Sequence, residues 1–125
     1  MSTNIRISDA EWEVMKVVWD RHPITALEII QRLAGKTEWN HRTIRTMLTR
    51  LVKKGALTFE MQGKAYHYRP SVSQEACVRR ESRSFLARVF GGATAPMLVH
   101  FVKNSDLSAE EIRQLRKILA EKESE

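Results

Sequence analysis

Residues 40–70 read NHRTIRTMLTRLVKKGALTFEMQGKAYHYRP, and their reading decides the fold of the chain. Ile44, Met47, Leu48, Leu51 and Val52 recur at i, i+3, i+4, i+7 and i+8, which is one apolar stripe along a helix. Gly55 closes that helix. Two strand-like runs follow, Ala56–Glu60 and Ala65–Arg69, flanking Met61-Gln62-Gly63-Lys64. In the second run Tyr66 and Tyr68 alternate with His67 and Arg69, as on a strand with one face on the protein and one in solvent. The window holds seven basic residues (Arg42, Arg45, Arg50, Lys53, Lys54, Lys64, Arg69) against Glu60 alone, a net charge of +6. The full 125-residue chain has the same formal net charge, +6, so everything outside the window sums to zero. A basic helix backed by a basic hairpin suits duplex DNA, whose phosphates are drawn by the positive field and whose major groove admits a helix. The stretch therefore predicts a winged helix-turn-helix.

Outward from this window, local punctuation places the other helices. Ser8-Asp9-Ala10-Glu11, Thr25-Ala26-Leu27-Glu28 and Ser108-Ala109-Glu110-Glu111 each fit the capping box, in which Ser or Thr bonds the N3 amide and Glu reaches back to the cap amide. Each has an apolar pair across the cap (Ile7 with Trp12, Ile24 with Ile29, Leu107 with Ile112), the hydrophobic staple. These predict helices over 8–20, 25–34 and 108–122. Asn40 is a fourth cap, with Trp39 and Ile44 as its staple but no Glu to complete the box. In the first helix Trp12, Met15, Val18 and Trp19 fall at helical spacing before His22-Pro23; in the second Leu27, Ile30 and Leu33 recur at threes before Gly35.

With Ile44 at the centre of the buried stripe, Arg42, Thr46, Thr49, Arg50 and Lys53 point away from the core. Arg42, Thr43 and Thr46 lie near the N-terminal end, the part of a recognition helix that reaches base edges. Arg can bridge guanine O6 and N7, and a Thr methyl can pack on thymine C5. Lys53 and Lys54 stand at the C-terminal end, where they also suit the helix dipole, and are assigned to phosphates or to capping rather than to reading bases. Lys64 at the hairpin tip is the expected wing contact. Thr49 and Arg45 also admit a plainer reading, as solvent-facing helix and as a side chain lying along the flank of the stripe.

After Pro70 the character changes. Residues 71–125 carry nine Lys/Arg and eight acids and read as helix apart from Gly91-Gly92 and the region near Asn104. Three apolar clusters recur there: Phe85, Leu86, Val89 and Phe90; Met97, Leu98, Phe101 and Val102; Ile112, Leu115, Ile118 and Leu119. A domain this small can hardly bury all of them alone. A second copy in a closed two-fold dimer is the simplest remedy. The expected organisation is a DNA-binding domain over 1–70 and a helical dimerisation domain over 71–125, mainly α with a small β-hairpin.

Other chemistry finds little support. No apolar run approaches the about 20 residues of a membrane span, and the N-terminus MSTNIRISDAEWE lacks the apolar core of a signal peptide, so a cytoplasmic protein without membrane insertion is expected. Cys77 stands alone, which excludes an internal disulfide and an all-cysteine metal site. His22, His41, His67 and His100 do not fall at metal-ligand spacing with it, so no metal and no cofactor are expected. Arg79 and Arg80 beside Cys77 could lower its pKa; a small, half-buried thiol is the simpler reading. Without a Gly-rich phosphate loop, carboxylate pair or nucleophile–base arrangement, an enzyme is not expected.

The chain resembles the BlaI/MecI penicillinase repressor family. The resemblance runs through Ser8-Asp9-Ala10-Glu11-Trp12-Glu13-Val14-Met15, the core Thr43-Ile44-Arg45-Thr46-Met47-Leu48-Thr49-Arg50-Leu51 with Lys53-Lys54-Gly55, and Asp106-Leu107-Ser108 with Leu115-Arg116 and Ile118-Leu119. It implies a winged helix, a C-terminal dimerisation domain and repression by occupying a palindromic operator, with Arg42, Thr43, Thr46 and Arg50 on the recognition-helix contacts. It also implies release by a sensor-activated protease that cuts just before a Phe, here the bond His100–Phe101. The β-lactam-responsive members have Asn where this chain has His100, and the plainer reading of His100 is a helix residue with a satisfied ring nitrogen. The copper-responsive relatives end in clustered cysteines, which this chain lacks.

The expectation is a homodimeric, sequence-specific repressor. Its rivals are a non-specific architectural protein that coats DNA through charge, and an interaction module whose basic helix meets an acidic partner.

Overall fold

The computed structural model describes residues 5–125. Helices α1 (Asp9–Asp20), α2 (Ala26–Leu33) and α3 (His41–Lys53) are followed by strands β2 (Leu57–Gln62) and β3 (Ala65–Pro70), with a two-residue strand β1 (Ile24–Thr25) just before α2. Helices α4 (Gln74–Phe90), α5 (Thr94–Asn104) and α6 (Ala109–Glu123) complete the chain. It divides into two compact units between Glu81 and Ser82, inside α4. The first unit passes residue 70, where the composition changes, because Val72 and Cys77 pack against its core.

All three expected capping boxes form, at Ser8, Thr25 and Ser108. Each supplies partners for helix N–H groups that have none inside the helix. The core of the first unit is built from Val14, Met15 and Val18 of α1, Ile29, Ile30 and Leu33 of α2, and Ile44, Met47, Leu48 and Leu51 of α3, closed by Ile24, Ala56, Leu57 and Tyr68. Trp12 and Trp19 sit half-buried at its edge, ring centroids 5.5 Å apart, and Trp19 Nε1 donates to the Val72 carbonyl at 3.0 Å. The expected stripe of α2 is corrected by one position. Ala26, Ile29, Ile30 and Leu33 are buried, whereas Leu27 is 53% exposed. The true stripe starts at Ala26 and follows i, i+3, i+4, i+7, which rotates Leu27 off it.

The sheet is antiparallel and three-stranded, in the order β1-β3-β2. The hairpin turn is tighter than the four residues expected, since Met61 and Gln62 belong to β2 and Gln62 pairs with Ala65. Gly63 leads the turn with φ +65°, the position at which a type II′ hairpin turn takes Gly. Register places Phe59 opposite Tyr68 and Met61 opposite Tyr66 on one face, and Glu60 opposite His67 on the other.

The second unit contains the rest of α4 with α5 and α6. Phe85 lies 6.0 Å from Phe90 and 5.9 Å from Phe101, ring centroid to ring centroid, forming a small aromatic cluster. No residue of α4, α5 or α6 is fully buried. Val89, Leu98, Phe101, Val102, Ile118 and Leu119 all remain exposed. No single helix among the described residues is long and apolar enough to cross a membrane.

Candidate nucleic-acid interface

Helix α3 is fixed at both ends by its own sequence. Asn40 caps it, its side-chain oxygen accepting the Thr43 N–H at 2.8 Å. At the other end the Gly55 N–H donates to the Val52 carbonyl at 3.0 Å and the Ala56 N–H to the Leu51 carbonyl at 2.9 Å. That pair of bonds is the Schellman ending, and Gly55 supplies the positive φ (+85°) it requires. Between these ends Ile44, Met47, Leu48 and Leu51 are buried, so the helix cannot rotate about its axis without exposing them.

Arg42, Thr43, Thr46, Arg50 and Lys53 are accordingly exposed together, with Lys64 exposed at the hairpin turn. Thr49 turns its hydroxyl to its own helix, donating to the Arg45 carbonyl at 3.1 Å. Among the described residues, Arg42, Arg45, Arg50, Lys53 and Lys64 take part in no ion pair. Their charge is available to a partner.

Lys54, expected to take a phosphate or a cap, stands at the C-terminal cap position of α3 and turns its ammonium to an internal partner. Its Nζ donates to Glu11 Oε1 at 2.5 Å and to the Arg6 carbonyl at 2.8 Å. Glu11 is the one buried charged residue among the described residues, and the same oxygen accepts the Ser8 N–H at 2.9 Å. The capping box that starts α1 thus also anchors the end of α3. Nothing in the local spacing of residues 50–55 announces this, because the partner lies 43 positions away.

Cys77 is half-buried against the core of the first unit. Burial pushes its thiol up and Arg80 offsets only part of this, so the neighbouring arginines do not activate it. In the second unit His100 and Phe101 lie within α5, both exposed. The Asn104 side-chain amide donates to the His100 carbonyl at 2.8 Å and approaches the His100 ring nitrogen at 3.3 Å.

The sequence profile of the penicillinase repressor family matches residues 7–121. The chain belongs to the penicillinase repressor family. It is 42% identical to the penicillinase repressor of Bacillus licheniformis over 116 residues, covering 93% of this chain and 91% of that protein. It is 36% identical to the methicillin resistance regulatory protein MecI of Staphylococcus aureus strain N315, covering 93% and 94%. The solution structure of the DNA-binding domain of the repressor BlaI superposes with a TM-score of 0.54 at 43% identity, covering 58% of this chain and 88% of that one. Monomeric Bacillus licheniformis BlaI in complex with the blaP half-operator superposes with a TM-score of 0.51 at 44% identity, covering 57% and 87%. This is a family of repressors rather than enzymes, and the winged helix-turn-helix is the fold shared with BlaI.

Proposed function

We propose that this penicillinase-repressor family member is a homodimeric transcriptional repressor that works in the cytoplasm by occupying a palindromic operator, without a cofactor. One observation carries the reading: the outward face of α3 presents Arg42, Arg50 and Lys53 with no acidic partner, on a helix held by caps and core at both ends. Arg42, Thr43, Thr46 and Arg50 read bases, Lys53 takes a phosphate, and Lys64 reaches the backbone from the wing. Two such helices in a dimer meet half-sites about one helical turn apart, or a multiple of it.

Residues 71–125 supply the dimer on this reading. The apolar residues of α4, α5 and α6 that stay exposed in one copy are the surface a second copy covers. Cutting His100–Phe101 would remove residues 101–125, and with them Leu115 and Leu119, and so release the tether between two DNA-binding heads. That bond lies inside α5, so a protease has to find the helix locally opened.

The test is selection of binding sites from a random duplex pool at roughly physiological salt, where binding by charge alone is already weak. Enrichment of an inverted repeat supports the dimeric, specific repressor. Bound DNA with no shared sequence would instead establish an architectural protein.

A further inference from the structure

Strand β2 is an outer edge of the three-stranded sheet, bonded to β3 on one side only. The hairpin decides which of its backbone groups face outward. Across a two-residue turn the closing pair, Gln62 with Ala65, is a hydrogen-bonded one, and bonded pairs then recur at every second residue. At the far end the Ser71 N–H donates to the Ala56 carbonyl at 2.9 Å, an even number of residues from Gln62 and so in phase with it. Pro70, which has no N–H, falls opposite Leu57, between bonded pairs. Thr58, Glu60 and Gln62 therefore bond to β3, while the N–H and C=O groups of Phe59 and Met61 point away from the sheet. No backbone group takes these among the described residues.

An open edge of this kind is ordinarily blunted by Lys, Pro, a bulge or an inward charge. The strand reads Leu57-Thr58-Phe59-Glu60-Met61-Gln62, with neither Lys nor Pro, and its pairing with β3 runs one to one without a bulge. Phe59 and Met61 are 41% and 58% exposed, so apolar side chains flank the open backbone. Glu60 is the one charge of the strand, and it selects the occupant. A second β2 can lie antiparallel against the first only in registers that bring outward groups face to face. The two that overlap most centre on Phe59 or on Glu60. Centring on Glu60 sets two carboxylates directly opposite, which is repulsive. Centring on Phe59 sets Thr58 against Glu60 on both sides of the axis and Leu57 against Met61, with no like charges together.

We propose that β2 pairs edge to edge with the β2 of a second copy, on a two-fold axis through Phe59, as a contact separate from the apolar face of α6. A foreign extended peptide could use the same backbone groups, but the match of Thr58 with Glu60 is supplied by the strand's own sequence. The interface is small, so the pairing is transient between free chains. It does not depend on DNA.

A disulfide traps a transient pair. Bonded cross-strand residues lie about 5.5 Å apart at Cα, inside the range of about 4.4–6.8 Å that a disulfide spans. Thr58 of one copy is diagonal to Thr58 of the other, about 7–8 Å away and outside that range. In the full chain carrying Cys77→Ser, mild oxidation should therefore join Phe59→Cys chains at least about tenfold faster than Thr58→Cys chains, each rate scaled by that thiol's reactivity toward a small disulfide reagent. Adding Thr58→Glu to Phe59→Cys places a second carboxylate against Glu60 and should slow the cross-link about three- to tenfold. Adding Glu60→Lys as well makes the pair opposite in sign and should restore the rate. Thr58, Phe59 and Glu60 are all exposed, and thermal unfolding of each variant checks that the hairpin is intact. Equal scaled rates at positions 58 and 59, or a Thr58→Glu effect that Glu60→Lys does not reverse, would overturn the pairing. Cross-linking at position 59 should persist in a chain that also carries Leu115→Asp and Leu119→Asp. Its loss there would overturn the edge as a separate interface.

Discussion

Lys54 Nζ lies 2.5 Å from Glu11 Oε1, joining the C-terminal cap of α3 to the first turn of α1. Glu11 is almost fully buried, so removing its partner leaves a carboxylate with less compensation in a poorly solvated place. Lys54 is itself 36% exposed, which lets water replace part of what is lost. Lys54→Met should therefore destabilise the chain by about 1–3 kcal/mol, read by urea unfolding. A loss within the noise of a surface substitution would show the pair to be incidental.

The same pair sets a pH dependence. Burial alone raises the Glu11 carboxyl, but bonding to Lys54 and Ser8 outweighs it and holds the group below its ordinary value of 4.5. A carboxyl depressed in the folded state contributes stability above its unfolded value and loses it as pH falls through the folded value. Unfolding of the unaltered chain should grow easier as pH drops below 4.5, and Glu11→Gln should flatten that part of the profile. Superimposable acid limbs for the two chains would remove Glu11 as its source.

Arg42 and Arg50 make the sharpest test of base reading. Truncating either to Ala should cost about 1–3 kcal/mol on the selected site, the worth of a bidentate contact to a base. Random duplex, bound mostly through phosphates, should lose far less. Equal losses on both would move these arginines to the backbone-contact set.

Asn40 separates stability from binding at the start of α3. Asn40→Ala removes the acceptor for the Thr43 N–H and should cost about 1 kcal/mol. Asn40→Asp keeps a cap and favours the positive end of the helix, so thermal stability should hold. Its new negative charge beside Arg42 should nonetheless weaken DNA binding. A variant as stable and as tightly bound as the unaltered chain would place the start of α3 away from DNA.

Much of this arrangement was legible because its determinants are local. The boxes at Ser8, Thr25 and Ser108, the Asn40 cap and the stripe from Ile44 to Leu51 each lie within a few turns of chain, so spacing alone exposes them. What spacing missed depends on residues far apart. Strand β1 is two residues long and exists because Ile24 and Thr25 pair with Tyr68 and His67. Lys54 read as one more cation of the basic face because its partner belongs to another helix. Leu27 matched a period of three by chance, and only packing reveals that Ala26 begins the buried stripe.

The second unit gives the prediction with the widest consequence. Leu115, Ile118 and Leu119 on α6 are 39%, 55% and 58% exposed in a single copy. Leu115→Asp with Leu119→Asp should leave the fold of the first unit unchanged, since neither residue belongs to its core. If a second copy covers this face, burying two carboxylates there is prohibitive and the variant should sediment as a monomer. Affinity for an inverted repeat should then fall by roughly a hundredfold or more, because the second head no longer binds at high effective concentration. Affinity for an isolated half-site should not change. A doubly substituted chain that still sediments as a dimer would move the interface off α6, and a dimer-to-monomer change without loss on the repeat would break the link between dimerisation and operator binding.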